Sequence, residues 1–130
     1  MYGQKNDPGH PFRETLQGVI GAAGTTDFDF DPLEAGEVWS VNALTVLVGA
    51  HNATRFHVLV GRYGNLKNVH SSGAITADVA ESFHDGFYVF DGEMIRVQVV
   101  GGTAADPVTI EVEGARSWQA FGNVEVEVSG

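Results

Sequence analysis

Short segments of alternating apolar and polar residues recur about every ten residues along the chain. The alternation is clearest in Val108–Glu113 and Val124–Val128, where each pair of valine or isoleucine residues is separated by threonine or glutamate. A period of two buries one face of a β-strand and leaves the other face in water. The pattern therefore predicts an all-β domain with strands at residues 15–20, 26–30, 37–48, 54–61, 74–79, 87–90, 93–100, 108–113 and 124–128.

The longest of these segments, Glu37–Val48, changes its inward face partway along. Trp39 and Val41 share one parity, whereas Leu44 and the two alternate valines after it share the other. A single extra residue in a strand produces such a switch, because it moves every later side chain to the opposite face. We therefore expect a β-bulge or a bend near Asn42, with Trp39 in the core.

The pair Asp91-Gly92 separates two strand-like segments, residues 87–90 and 93–100. Asp-Gly suits the positive φ angles of a type I′ turn, so this pattern predicts a tight hairpin. A longer glycine-rich turn then leads into residues 108–113, which are expected to return beside the preceding strand. Together the three segments predict a meander.

Helical periodicity is weak throughout, and only residues 78–83 fit a single helical turn. The succession of short strands predicts a two-sheet antiparallel β-sandwich, jelly-roll-like rather than immunoglobulin-like. Residues 1–14 hold two of the four prolines together with glycine, asparagine and aspartate, a composition that resists regular structure. We expect a flexible N-terminal arm at 1–14 and one β-sandwich domain at 15–130.

The charge balance limits the classes of partner. The chain of 130 residues has 17 acidic and 7 basic side chains, a formal net charge of −10. Nucleic-acid backbones and anionic membranes attract clustered lysine and arginine, so neither is expected as a partner. No apolar run approaches the roughly 20 residues that span a bilayer, and no signal-peptide pattern precedes the first strand. The absence of cysteine excludes disulfides and thiolate chemistry.

Three alternating aspartates, Asp27, Asp29 and Asp31, have the spacing of the first ligands of a calcium loop. The rest of an EF-hand loop is missing, because Pro32 stands where the sharp turn needs glycine and Val38 stands where the loop needs a bidentate glutamate. The simpler interpretation is a strand with Phe28 and Phe30 buried and the aspartates on its solvent face.

No other motif predicts catalysis, a metal site or a cofactor. No nucleophile elbow surrounds a serine. The five histidines lack the close sequence pairing that metal-ligating histidines show; they are His10, His51, His57, His70 and His84. We therefore expect no enzymatic activity, no metal and no cofactor.

Large aromatic residues outside the expected core are the candidate partner contacts. Trp118 and Phe121 lie in a turn-like stretch, residues 114–123, and fit either the core or contact with another subunit. Phe12 is the main apolar group of the expected arm, which makes it a candidate anchor on a partner. Exposed aromatic residues also occur in sugar-binding modules, so a carbohydrate-binding module is an alternative.

One pattern covers about two thirds of the chain. It consists of a strand that opens with Gly36-Glu37-Val38-Trp39, an aromatic run followed by Asp91-Gly92-Glu93, and a turn at Gly101-Gly102-Thr103 before Val108-Thr109-Ile110. This pattern resembles small β-sandwich structural proteins of tailed bacteriophages, especially capsid decoration, or cement, proteins.

The resemblance implies a virion structural protein that is made in the host cytoplasm and binds the outer capsid surface, stabilising the head. It further implies a homo-oligomer, most simply a homotrimer, that contacts the major capsid protein. Phe12, Trp118 and Phe121 are the residues that we expect at such contacts. A tail or neck component of the virion remains an alternative.

Overall fold

The computed structural model describes residues 9–22 and 24–119, which form nine β-strands and no helix. None of these residues belongs to a helix that could cross a membrane. The strands are β1 (His10–Val19), β2 (Thr25–Asp29), β3 (Glu37–Val48), β4 (Arg55–Arg62), β5 (Asn65–Ser71), β6 (Glu81–Phe83), β7 (Phe87–Val89), β8 (Met94–Val100) and β9 (Pro107–Trp118).

The strands form two antiparallel sheets that pack face to face. Sheet 1 has the order β1-β9-β3-β6, with β7 also paired to β3, and sheet 2 has the order β2-β8-β4-β5. Most connections cross from one sheet to the other; the hairpin β4–β5 and the step from β6 to β7 stay within one sheet. This is the strand order of a jelly roll, so the predicted all-β, two-sheet antiparallel sandwich is confirmed.

The core lies between the two sheets and consists of the inward-facing residues of both. Val108, Ile110 and Val112 of β9 are at most 1% exposed, as the alternation along this segment predicts. Phe56 of β4 and Val97 of β8 meet them from sheet 2 and are equally buried. The sandwich is therefore held together mainly by burial of apolar side chains.

The predicted irregularity in β3 is confirmed. The register between β3 and β9 shifts between Val41 and Ala43, and the intervening Asn42 is exposed. Trp39 before the bulge and Leu44 after it both point inward, with exposed fractions of 6% and 0%. The bulge thus lets one strand keep apolar residues inside although their parity changes.

The predicted hairpin and meander are wrong. β7 pairs with β3 in sheet 1, whereas β8 pairs with β2 and β4 in sheet 2. A turn does occur, closed by a 2.9 Å hydrogen bond from Glu93 N to Phe90 O, but only Gly92 has a positive φ, 76°. A type I′ turn needs positive φ at both central residues, so this turn instead carries the chain between the sheets. β9 likewise pairs with β1 and β3 rather than with β8.

The structure differs from the predicted order of elements in three other places. Residues 74–79 form no strand and contribute one isolated bridge, between Ile75 and Ala53. The segment 78–83 is not a helical turn, because Glu81–Phe83 is strand β6. β5 was not predicted, since as an edge strand it buries too little to show a clear alternation: none of its seven residues is fully buried.

The end of β9 also differs from expectation, because the strand continues to Trp118 through residues predicted as a turn. Gly114 explains why this stretch does not look like a strand. Its backbone runs so close to β3 at the bulge that a Cβ atom would collide with the carbonyl group of Ser40. A glycine inside a strand can mark such a close approach rather than a turn.

The predicted N-terminal arm is too long. β1 begins at His10, and residues 10–14 pair with residues 112–116 of β9. Pro11 is tolerated there because β1 is an edge strand of sheet 1. Residues 1–8 lie outside the described part of the chain, as do residues 120–130 with the predicted strand at 124–128.

Candidate functional site

An uncharged surface occupies part of the outer side of sheet 1. Ser40 pairs with Ala115 of β9 on one side and with Tyr88 of β7 on the other, and Ala115 pairs with Pro11 of β1. One step along, Val38 pairs with Ser117, and Phe90 directly follows β7. We call this surface the aromatic face; it consists of Pro11, Ser40, Tyr88, Phe90, Ala115 and Ser117, whereas Val38 has the same parity but is buried.

Two exposed rings dominate the aromatic face. Tyr88 is 62% exposed and Phe90 is 47% exposed. The rings lie nearly parallel, with 6.1 Å between their centroids and 21° between their planes. Because each ring shields one side of the other, the pair presents a joined apolar surface to solvent.

Charge begins where the aromatic face ends. Two residues beyond Pro11, Arg13 lies 3.6 Å from Glu113 and 3.9 Å from Glu111. These side chains lie on the outer side of sheet 1, beyond the bulge in β3. Their position follows from the pairing of Glu113 with Ala43, the first paired residue of β3 after the bulge. The outer side of sheet 1 is thus divided into an uncharged part with aromatic rings and a charged part.

This division suits contact with another protein. Interface cores are depleted of charged residues and enriched in aromatic residues, and their rims are polar. Beside Phe90, the Glu93 carboxylate accepts a 2.9 Å hydrogen bond from Phe90 N, so charged side chains border the aromatic face at this margin as well as at Arg13. We therefore take the aromatic face as the candidate functional site.

The predicted partner contacts fall in three different places. Phe12 points inward, where its ring centroid is 4.5 Å from that of Trp39 and 5.3 Å from the Arg116 guanidinium carbon. It therefore packs against its own sandwich instead of extending from an arm. Trp118 is 41% exposed at the end of β9, and Phe121 lies outside the described residues.

The sequence does not distinguish Tyr88 and Phe90 as contacts, because the run Phe87–Phe90 is typical of one strand of a hairpin. A signal was present in the alternation. Val89 has the inward parity and is fully buried, so its neighbours on either side must face outward.

An acidic cleft with a volume of about 330 Å³ lies on the inner side near β1. Among the residues that line it, Glu37 has a buried carboxylate that accepts a 2.9 Å hydrogen bond from Trp39 Nε1 and another from the backbone N–H of Glu34. Arg116 lies 3.2 Å from Glu37 and 3.1 Å from Glu14. Its buried Nε has no hydrogen-bond partner among the described residues, so the contact with Glu37 is an ion pair. These interactions hold the end of the sandwich together.

The outer side of sheet 2 contains the alternating aspartates, and their interpretation as solvent-facing is confirmed. Phe28 is 7% exposed, whereas Asp27 and Asp29 are on the exposed side of β2. Arg96 donates hydrogen bonds to Asp29 of 2.7 and 3.1 Å, and the Asp29 carboxylate raises the pKa of this guanidinium above its ordinary value. Tyr63, 79% exposed, has the Arg96 guanidinium 5.9 Å from its ring centroid.

The described histidines lie apart and have different neighbours. His57 Nδ1 is 2.7 Å from Ser71 Oγ, and His51 Nδ1 is 3.0 Å from a carboxylate oxygen of Asp106. His70 stacks on Phe83 with 3.9 Å between ring centroids. Residues 9–22 and 24–119 contain no group of three or more histidine, cysteine or acidic side chains that could hold a metal ion.

Strand order and packing place the chain in the class of antiparallel jelly-roll sandwiches. No family model and no curated protein matches the sequence. Among solved structures, a subunit of Bacillus endospore appendages, described as disulfide-linked pili, is 13% identical with a TM-score of 0.49 and covers 88% of this chain and 94% of that chain.

Two further solved structures are similar to this chain at lower TM-scores. A chain in the structure of infectious bursal disease virus, Gt strain, is 10% identical with a TM-score of 0.41, and the match covers 92% of this chain and 34% of the viral chain. A chain in a structure described as CBM4 is 10% identical with a TM-score of 0.38, and the match covers 68% of this chain and 60% of the CBM4 chain.

Proposed function

We propose that this protein is a structural subunit that docks through its aromatic face on a larger protein assembly. In its specific form, the proposal is a bacteriophage capsid decoration protein that binds the outer surface of the major capsid protein and stabilises the head. The observation that supports it is the pair of exposed rings, Tyr88 and Phe90, on an uncharged part of sheet 1.

The size of this surface suits a repeated, modest contact. Aromatic side chains bury about 150–250 Å² each, and a standard interface buries about 800 Å² on each partner. The two rings and the small residues around them would therefore form the centre of an interface, with Arg13 and Glu113 at its rim. A homotrimer would multiply three such contacts into a strong attachment.

Binding to capsid shells tests the proposal. The shells are assembled from the major capsid protein encoded in the same genome, and bound protein is measured by co-sedimentation. We expect the native chain to sediment with the shells and the double variant Tyr88→Ser/Phe90→Ser to remain in solution. Tyr63→Ser is the matched control, because it removes an exposed ring from the turn between β4 and β5, away from sheet 1.

Retention of full shell binding by the double variant would refute the aromatic face as the docking surface. Failure of the native chain to bind any shell would refute the decoration role. A tail or neck component would use the same face, so binding to purified tails instead of shells would support that alternative.

A second candidate function rests on the outer side of sheet 2. Tyr63 is a flat, exposed ring, and the hydrogen-bonding side chains Asp29, Arg96 and Gln98 lie on the strands of the same sheet. Sugars stack on aromatic rings and bind planar polar groups, so this surface fits a carbohydrate-binding module. A glycan array tests it: binding that Tyr63→Ala abolishes supports this function, and an array without any bound glycan refutes it.

A further inference from the structure

We propose that three copies of this chain join corner to corner in a closed ring, in which a basic groove at Arg62 and Lys67 of one copy binds Asp31 and Glu34 of the next. This inference rests on the proposed function, since it names the contact that forms the homotrimer. Three features support it: the opposite charges of the two surfaces, their places at the two corners of one end of the sandwich, and an exposed tryptophan between them.

The basic groove lies beside the hairpin of β4 and β5. Arg62, Asn65 and Lys67 are among the residues that line it, its volume is about 320 Å³, and its one carboxylate is Glu93. Glu93 is already engaged, because it accepts a 2.9 Å hydrogen bond from Phe90 N. Arg62 and Lys67 are exposed, and neither forms an ion pair with a described carboxylate. The groove therefore offers two cationic groups to a partner.

Unpaired cations are scarce in the described part of the chain. Arg13, Arg96 and Arg116 each form ion pairs with carboxylates of their own sandwich. The Arg62 guanidinium donates a 3.3 Å hydrogen bond to the carbonyl oxygen of Asp91, which holds its direction but leaves its charge unneutralised. On a chain with a formal net charge of −10, such a groove is attracted most strongly to carboxylates that are themselves unpaired.

Asp31 and Glu34 carry carboxylates of this kind. Both are exposed in the loop between β2 and β3, both line the acidic cleft, and neither side chain forms a hydrogen bond or an ion pair with a described residue. The loop is held in place, because Leu33 N donates to Glu93 O and Gly92 N donates to Leu33 O, both at 2.9 Å. A fixed loop keeps the two carboxylates in position before a partner arrives, which lowers the entropy cost of binding.

Both surfaces lie at one end of the sandwich, which we call the upper end: β4 and β9 finish there, and β3 and β8 begin there. They occupy its opposite corners. Asp31 lies two residues beyond the end of β2, one edge of sheet 2, whereas Lys67 belongs to β5, the other edge. Three strand spacings, about 14 Å, separate these edges, which leaves both surfaces available to neighbouring copies.

The places of these two corners suit a closed ring. A contact between two different surfaces builds a ring when one rotation repeats it and closes, and an open filament when it does not close. A rotation axis that stands normal to the sheets, beyond the upper end, carries the basic corner of each copy to the acidic corner of the next. All sheets then face the same way, so the aromatic faces of the three copies lie on one side of the ring, as docking on a shell requires.

Trp118 supplies an apolar contact between the two corners. It is the last residue of β9, pairs with Glu37 at the upper end and is 41% exposed. Because β9 lies between β1 and β3 in sheet 1, Trp118 is away from both edges, and in the ring it lies near the axis. Exposed ion pairs alone hold proteins together weakly, whereas a buried indole ring contributes strongly to an interface.

Light scattering coupled to size-exclusion chromatography, over a dilution series, tests the proposal on the full chain. We expect the native chain to have the mass of three copies. Lys67→Glu should raise the dissociation constant at least about tenfold, because a carboxylate then faces Glu34. Arg55→Glu is the matched control: Arg55 is also exposed and unpaired among the described residues, but it lies at the start of β4, at the opposite end. It changes the net charge equally and should leave the mass unchanged.

A charge exchange tests which residues pair. Glu34→Lys alone should weaken association, and Glu34→Lys/Lys67→Glu in one chain should restore it. Trp118→Ser should weaken association at least about tenfold. Raising the ionic strength from about 0.1 M to about 1 M shortens the Debye length from about 10 Å to about 3 Å, so it should weaken association of the native chain.

A native mass other than that of three copies would overturn the proposal. Full association of Lys67→Glu or of Trp118→Ser, an absence of restoration in the double variant, or a native ring that salt leaves unchanged would each overturn it as well. Glu34 and Lys67 are exposed and their side chains bond to no described residue, so their variants should keep the native circular dichroism spectrum.

The shell-binding assay separates this inference from the proposed function. A monomeric Lys67→Glu chain retains Tyr88 and Phe90, so it should still bind shells, more weakly than the ring. A monomeric native chain that binds shells would refute the ring alone. A salt-sensitive ring that never binds shells would refute the decoration role alone.

Discussion

Replacing Glu37 by alanine should destabilise the sandwich more than any other single acidic substitution among the described residues. Glu37 is only 7% exposed. Its carboxylate accepts hydrogen bonds from Trp39 Nε1 and from Glu34 N, both 2.9 Å. It also lies 3.2 Å from the buried Nε of Arg116. Its removal would leave the Trp39 N–H and the buried Nε of the partly exposed Arg116 without this partner.

The expected magnitude follows from these three contacts. Removing one partner of a buried ion pair costs about 3–5 kcal/mol. Arg116 retains Glu14 at 3.1 Å and its side chain is 33% exposed, so the lower end applies, about 3 kcal/mol. At roughly 4 °C per kcal/mol for a domain of this size, the melting temperature should fall by about 12 °C.

Urea unfolding followed by circular dichroism measures this change. The matched control is Glu113→Ala, which removes an exposed glutamate of the same sheet and should change the free energy of unfolding by less than about 0.5 kcal/mol. Glu37→Ala/Arg116→Ala should be less destabilised than the sum of its single variants, since the cation is removed with its partner. A loss below about 1 kcal/mol in Glu37→Ala would refute the assigned role of the buried pair.

Three further outcomes are expected. Deleting residues 1–8 should change the melting temperature little, whereas deleting residues 1–14 should lower it clearly because half of β1 is lost; equal effects would contradict the register of β1. Gly114→Ala should lower the free energy of unfolding by about 1–3 kcal/mol by collision with the Ser40 carbonyl, and Gly73→Ala, which has open space, should not. A chelator should leave the melting temperature unchanged, and a large fall would reveal a structural ion.

The sequence predicts the strands of this protein better than their partners. In β3, the parity of Trp39, Val41 and Leu44 predicts both the buried face and the bulge, because burial acts on each residue locally. Asp91-Gly92 predicts a turn correctly but not its destination, since the same residues fit a hairpin or a crossing between sheets. In a jelly roll most neighbouring strands are distant in sequence, and this distance hides the pairing.

The candidate site was harder to predict than the fold. Phe12 follows Pro8 and Pro11 in a polar stretch and so resembles part of a free arm, yet the structure packs it against Trp39, two strands further along the chain. Tyr88 and Phe90 looked like ordinary strand residues. Their uncharged surroundings come from β1, β3 and β9, and only the tertiary pairing assembles these strands into one surface.

Oxidative footprinting of the shell-bound protein tests the central claim most directly. Hydroxyl radicals label exposed aromatic side chains, and mass spectrometry reports the label on Tyr88, Phe90 and Tyr63 in the free and bound protein. We predict that binding to capsid shells protects Tyr88 and Phe90 and leaves Tyr63 labelled as before. Protection of Tyr63 with Tyr88 and Phe90 still labelled would contradict the aromatic face as the docking surface.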